Sequence, residues 1–321
     1  MLKPSDLDPK ALRLQAMRRA RSVLERDFIA REVEQRMAER LDLIRHVPTV
    51  IADIGCGRAA GQPALSARYA QAAYLGVDLS PAALRHARHA SAPASMLARA
   101  GRWLSQAGGA LAGRRGAATA AGGGAPMFVA ADTHRLPLRN SSVDLIWSNL
   151  AWHGFVDPLA VVAEWQRVVR PDGLLMFSAF GVDSLRDLLG PQAGLVAFPD
   201  MHDIGDALVH AGFAEPVMDA ERMTLGYRRA EDLVAELRAA LGGNALADRR
   251  RSLLARSAYR RWLDALEARR DADGLIPVVL EIIQGHAWCP SRKRLPEGLS
   301  PITFTPRSAR PGSAAIVPPT N

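Results

Sequence analysis

The stretch from Val50 to Gly57 reads Val-Ile-Ala-Asp-Ile-Gly-Cys-Gly, an apolar run closed by an acid and two glycines. A second apolar run, Tyr-Leu-Gly-Val-Asp, ends on Asp78. Short, continuously apolar runs suit parallel strands buried on both faces. Glycines in the turn that follows let backbone approach a ligand that a Cβ would hold off. An acid ending the second strand can accept hydrogen bonds from two ribose hydroxyls. Together these features point to an α/β domain that binds a nucleoside.

The glycine spacing narrows the ligand. A dinucleotide site uses Gly-x-Gly-x-x-Gly to seat a pyrophosphate on a helix N-terminus. Here the run is Gly55-Cys56-Gly57-Arg58-Ala59-Ala60-Gly61, with the third glycine one place late. Asp53, just before the turn, would repel phosphates and attract a cation. S-adenosylmethionine carries such a cation in its amino-acid ammonium, beside a sulfonium. The pattern resembles motif I of class I methyltransferases, Asp-x-Gly-x-Gly-x-Gly, with Ala59 in place of the last glycine. That resemblance implies a Rossmann-like α/β fold, a mostly parallel seven-stranded sheet with helices on both faces. It also implies cofactor contacts from Asp53, Gly55, Cys56, Gly57, Asp78 and Leu79.

Periodicity supports this organisation. Residues Pro9 to Arg45 read as a leading helix, with Leu24, Phe28, Ile29, Val33, Met37, Leu41 and Ile44 on one face, so that 1–46 forms a helical lead-in. Strands are expected over Val50–Ile54, Ala73–Val77, Met127–Ala130, Val143–Trp147 and Leu174–Ser178, the last opened by a turn at Arg170-Pro171-Asp172-Gly173. Helices fit Pro81–His89 and Pro158–Val169 between them, which requires right-handed crossovers. Further helices are expected over Ser184–Leu189, His202–Ala211, Ala230–Leu241 and Asp248–Ala268. The apolar segments Pro216–Leu225 and Ile276–Gly285 could pair as an antiparallel hairpin at the sheet edge. Between residues 91 and 126 the chain is rich in Ala, Gly and Arg without an acid, and reads as an insertion into a domain spanning 47–290. From 291 onward the Pro, Ser and Arg content predicts a disordered tail.

Composition excludes several classes. The two cysteines, Cys56 and Cys289, stand in no metal-ligand or redox spacing, so no metal site is expected. No apolar run is long enough to cross a membrane, and a soluble, monomeric, cytoplasmic protein is the expectation. The net charge of +8 implies an acidic partner. Aromatics make up only 6% of the chain and no nucleic-acid module is recognisable, so nucleic acid is not that partner.

Asp132 and Thr133 follow the third strand, where a class I methyltransferase meets the adenine amino group; an N-cap role is equally open. Asn149, after the fourth strand, lies at the carboxyl edge where such sheets bind ligands. The run Ser148-Asn149-Leu150-Ala151-Trp152-His153 lacks the Asn-Pro-Pro-Tyr pattern of nucleobase amino methylation. His153 is open either to general-base chemistry or to packing.

Four motifs sharpen the resemblance: Asp27-Phe28-Ile29-Ala30-Arg31-Glu32-Val33-Glu34-Gln35-Arg36-Met37, Ser148 to His153, Phe198-Pro199-Asp200-Met201-His202-Asp203-Ile204-Gly205, and Leu241-Gly242-Gly243-Asn244. In this order they resemble the malonyl-acyl-carrier-protein O-methyltransferases of biotin synthesis, the BioC family. The likeness runs from about Arg21 to Pro290, insertion excepted, and departs at Phe28 (often Tyr) and Gly154 (often Trp). It implies methylation of the free carboxylate of a malonyl thioester on an acidic carrier protein. Arg186 would then be the clamp on that carboxylate, or else a surface arginine paired with Asp183 or Asp187. Two other readings stay open, a quinone-type C- or O-methyltransferase and an assembly factor that binds the cofactor without methylating.

Overall fold

Buried strands alternate with helices along most of the chain, and that alternation builds the sheet. The computed structural model describes residues 7–22, 27–91, 124–189, 198–249 and 255–291. Strands β1 (Val50–Ile54), β2 (Ala73–Asp78), β3 (Met127–Ala130), β4 (Val143–Ser148) and β5 (Val169–Phe180) pair in parallel in the order β3-β2-β1-β4-β5. Strand β7 (Ile276–Trp288) runs antiparallel to β5 and carries β6 (Ala214–Tyr227) on its outer side. The sheet thus has seven strands, as expected. The anticipated pairing of the last two segments is present, with β7 lying inside β6. Among the described residues two helices lie between them in sequence, and Tyr227 at the end of β6 faces Ile276 at the start of β7, so the pair is a hairpin with a long connection in place of a tight turn.

Helices start where their caps dictate. Helix α4 (Pro81–Ala90) follows Ser80, whose hydroxyl accepts from the Ala83 amide at 3.3 Å. Helix α5 (Pro158–Val168) follows Asp157, which accepts from the Ala160 amide at 3.1 Å. Both have proline in the first turn, where its missing N–H costs nothing. Helix α6 (Met201–His210) is capped by Asp200. Helix α3 (Gln62–Arg68), which periodicity did not single out, turns the chain from β1 toward β2.

Cores lie on both sides of the sheet. On one face Ile54, Val77, Ile146 and Phe177 meet Trp165 and Val161 of α5. On the other, Tyr74, Trp147 and Met176 meet Met37 and Leu41 from the lead-in and Leu84 and Ala87 of α4. Trp147 and Trp165 are fully buried; side chains of this size are worth roughly 2–3 kcal/mol each. Around β7 a third group joins Ile29, Val33, Phe180 and Ile282 to helix α7 (Ala230–Leu241).

The leading helix differs from expectation. It is two helices, α1 (Pro9–Ser22) and α2 (Phe28–Arg40), the second running into a 3₁₀ turn at Leu41–Leu43. The reason is that they pack on different things. Ile29, Val33 and Met37 bury against the sheet, whereas α1 spans toward the segment after α7, with Gln15 bonded to Gly243 and Asn244 and Asp8 paired with Arg249. Phe28, assigned to the buried stripe, is 52% exposed as the first residue of α2. Leu24 lies outside the described residues. The helix expected from Asp248 is shorter as described, α8 spanning Arg256–Glu267. At Arg170–Gly173 the expected turn is an excursion within β5, Asp172 at φ +62°, between the rungs Val143–Val169 and Leu145–Leu174. The single turn Arg186–Leu189 and the helices at α4, α5, α6 and α7 lie within a residue or two of their sequence positions. Most of the insertion, with its arginines, and the tail beyond 291 lie outside the described residues.

Candidate functional site

All the glycine-loop and strand-end residues expected at the cofactor converge on one cavity of about 280 Å³ at the carboxyl ends of β1, β2 and β4. Its lining includes Asp53, Gly55, Cys56, Gly57, Asp78, Leu79, Asp132, Thr133, Asn149 and His153. The backbone after β1 returns to β2 through the Gly55 and Cys56 amides, which donate to the Val77 carbonyl at 2.8 and 3.1 Å. Gly55 sits at φ +76°, and a Cβ there would meet the Ala151 methyl at 2.6 Å. Ala59 sits at φ +58°, in the left-handed region that favours glycine, and is buried. The substitution therefore leaves the turn tight and stores about 1 kcal/mol of backbone strain.

Asp78 is held ready at the end of β2. One carboxylate oxygen accepts from the Gly57 amide at 2.9 Å and the other from the Ser80 amide at 2.7 Å. Asp78 lines the cavity, where a carboxylate can accept from hydroxyl donors. Asp132 closes a turn by accepting from the His134 amide at 3.0 Å and from the His134 ring at 2.7 Å. No helix follows, so the N-cap role left open in the sequence is not filled; Asp132 closes a turn instead and also lines the cavity. His134 Nε2 in turn accepts from the Asp157 amide at 3.1 Å, which fixes its proton on Nδ1.

At the far wall sits a pair of carboxyl groups. Asp53 is buried and accepts from the Tyr74 hydroxyl at 2.5 Å. Beside it Glu34, from α2, is also buried and accepts from the Trp147 indole at 2.6 Å, with Asn149 as a further partner. Burial and the mutual repulsion of the two groups push Glu34 up to about 8, and burial above all pushes Asp53 up to about 7. The hydrogen bonds named here come from neutral donors. Such a pair is matched to an incoming cation, which would restore both charges. The late third glycine has its reason here, because a Cβ on Gly61 would overlap the Glu34 carboxylate. Glu34 escaped the sequence reading as a site residue. Its signal was an acid in the buried helical series Ile29, Val33, Met37. The same signal marks Glu236 of α7, buried and accepting from the Ile29 amide at 3.1 Å.

His153 is buried on the 3₁₀ turn Trp152–Gly154, its ring 5.7 Å from that of Phe180. The Cys56 thiol is pushed well up by burial and the nearby acids, which removes it as a nucleophile. Arg186 is not among the residues lining the cavity. Its side chain is 67% exposed and pairs with Asp183 at 2.7 Å, the second of the roles open to it, because the turn after β5 points it away. Among the described residues no cluster has the composition of a metal site and no helix is long and apolar enough to cross a membrane.

A methyltransferase-domain family model matches residues 52–177, from β1 through β5. The malonyl-acyl-carrier-protein O-methyltransferase of Laribacter hongkongensis is 41% identical over 87% of this chain and 90% of its own length. This chain belongs to that family. The enzyme of the same name from Methylovorus is 38% identical over 88% of this chain and 90% of its own. Among solved structures, the YcgJ protein of Bacillus subtilis (15% identity, TM-score 0.53) and a putative methyltransferase of Bacillus halodurans (14%, 0.52) share the fold, each covering 80% of this chain and all of their own. The methyl donor is S-adenosylmethionine, and the donor set fits it. The paired carboxyls suit its ammonium, Asp78 its ribose, and the glycine loop leaves room for its backbone.

Proposed function

We propose that the chain transfers a methyl group from S-adenosylmethionine to the free carboxylate of a malonyl thioester on acyl-carrier protein. The observation that carries this reading is the near-full-length match to enzymes of that name, on a chain whose glycine loop, Asp78 and buried acids share one cavity. The bound cofactor supplies an electrophilic methyl on sulfonium. The protein's part is placement. Asp53 and Glu34 hold the ammonium, Asp78 the ribose hydroxyls, and Asp132 or Thr133 the adenine edge, while Asn149 orients Glu34 and braces α2 through the Ala30 carbonyl at 2.8 Å. A malonyl carboxylate, with an ordinary value near ~4, arrives ionised, so the step needs alignment and no base. His153 packs the wall against Phe180 in this reading. In solution, label from methyl-labelled S-adenosylmethionine is expected in malonyl- but not acetyl-carrier protein, as an ester cleaved by mild base. Equal labelling of the two carriers, or none, overturns the assignment.

Two expected outcomes arise here. Asp78→Ala weakens cofactor affinity by about 2–3 kcal/mol, because charged acceptors of two hydroxyls are lost and the Gly57 and Ser80 amides lose their anchor. Unchanged affinity by calorimetric titration removes Asp78 from the ribose. At saturating cofactor, kcat stays nearly flat between pH ~6 and ~8, and His153→Ala leaves it flat. A steep rise near the histidine range that His153→Ala abolishes would favour a phenol or carbon nucleophile, the quinone-type alternative.

A further inference from the structure

Helix α1 has two distinct sides. Leu12, Arg13, Gln15 and Ala16 line the cavity. Lys10, Leu14, Met17 and Arg18 fall at i, i+4, i+7 and i+8, one stripe of a helix, and all four are exposed, Leu14 by 44% and Met17 by 45%. The whole helix, Pro-Lys-Ala-Leu-Arg-Leu-Gln-Ala-Met-Arg-Arg-Ala-Arg-Ser, has five cations and no acid. On the inner side of the helix Arg13 pairs with Asp132 at 3.7 Å. A stripe that sets two large exposed apolar side chains beside positively charged ones, on a helix that contains no acid and walls the site, has the make-up of a contact with an acidic protein.

We propose that this outer face of α1, Lys10, Leu14, Met17 and Arg18, is the docking surface for the acidic carrier protein that presents the malonyl thioester. The inference rests on the substrate reading above. Leu14 and Met17 form a small apolar centre, Lys10 and Arg18 flank it with charge, and the inner side of the same helix meets the cavity. A carrier seated there is positioned relative to the methyl donor by one rigid element, tied down through Gln15 to Gly243 and Asn244. An anionic lipid surface is the weaker fit, because two apolar side chains are too little area to hold a helix in a bilayer interface.

The test is steady-state kinetics of the full chain with malonyl-carrier protein and with malonyl-coenzyme A, which carries the same thioester on a small molecule. In Lys10→Glu/Arg18→Glu, KM for the carrier substrate is expected to rise about tenfold or more and to lose its salt dependence, while KM and kcat for the coenzyme A thioester stay within about twofold. Leu14→Ser/Met17→Ser should raise only the carrier KM. Titration with S-adenosylhomocysteine shows that each variant is folded. If wild type methylates neither thioester, the substrate reading fails and the docking site with it. If wild type methylates both, the docking site alone is overturned by an unchanged carrier KM, by equal losses on the two substrates, or by a charge-reversed variant that loses only binding to phosphatidylglycerol vesicles.

Discussion

Glu34→Gln is expected to lower cofactor affinity about 10- to 100-fold at pH 8, because one charge-assisted hydrogen bond to a buried ammonium, worth roughly 1.5–3 kcal/mol, is removed. The glutamine can still accept from Trp147, so packing is kept. In the unliganded protein the substitution acts in the opposite sense. Glu34 and Asp53 hold their protons more tightly folded, near 8 and 7, than unfolded, near 4.5 and 3.8. Their contribution to stability is therefore fully present below the unfolded values and is lost as pH rises through the folded ones. The unliganded wild type should lose several degrees of Tm between pH ~5 and ~8, and Glu34→Gln should lose less. Cofactor reverses the trend, since its ammonium favours the ionised pair. Affinity for S-adenosylhomocysteine, which keeps the ammonium, should rise with pH across that window and release protons. Calorimetry in buffers of different ionisation heat reads those protons, and a pH-independent affinity equal in wild type and variant would remove Glu34 from the ammonium site.

Gly61→Ala is expected to be the most damaging single-methyl change in the site. The added Cβ overlaps the Glu34 carboxylate, and that group is locked between Trp147, Asn149 and buried walls. Either the loop or Glu34 must move, at about 1–3 kcal/mol of stability and at least tenfold in cofactor affinity. The companion test is Gly61→Ala/Glu34→Ala. If the clash is with Glu34, the double variant is more stable than the sum of its single changes, by a coupling of about 1 kcal/mol or more. Additive losses would place the strain elsewhere in the turn.

That the glycine loop and the acids at the strand ends share one cavity was legible because local rules govern it. Asp53, the glycines and Asp78 lie at strand ends within one crossover, and strand–turn–helix geometry carries them to the same edge. Asp132 and Asn149 follow from the same rule applied to β3 and β4. The substrate side was less legible. Arg186 sits in a family-like motif, yet the turn after β5 directs it to Asp183 at the surface. The i,i+3 spacing of that pair already offered this role in the sequence, and packing decided between the two. The break between α1 and α2 was hidden for a similar reason, since both carry helical periodicity and only their different partners separate them.

Glu34 marks the boundary most clearly. That this position is an acid among buried apolar neighbours is written in the chain, and so is the late Gly61. What neither shows alone is that α2 lays this acid beside Asp53, under Trp147, against a residue with no side chain. Sequence by itself determined the alternation of strands and helices, the glycine turn and its two flanking acids, because those depend on backbone sterics and hydrogen bonding over a few residues. Tertiary structure alone decided which distant groups share the cavity, because residues as far apart in sequence as Glu34 and Trp147 meet only when the helix ahead of the sheet packs across it.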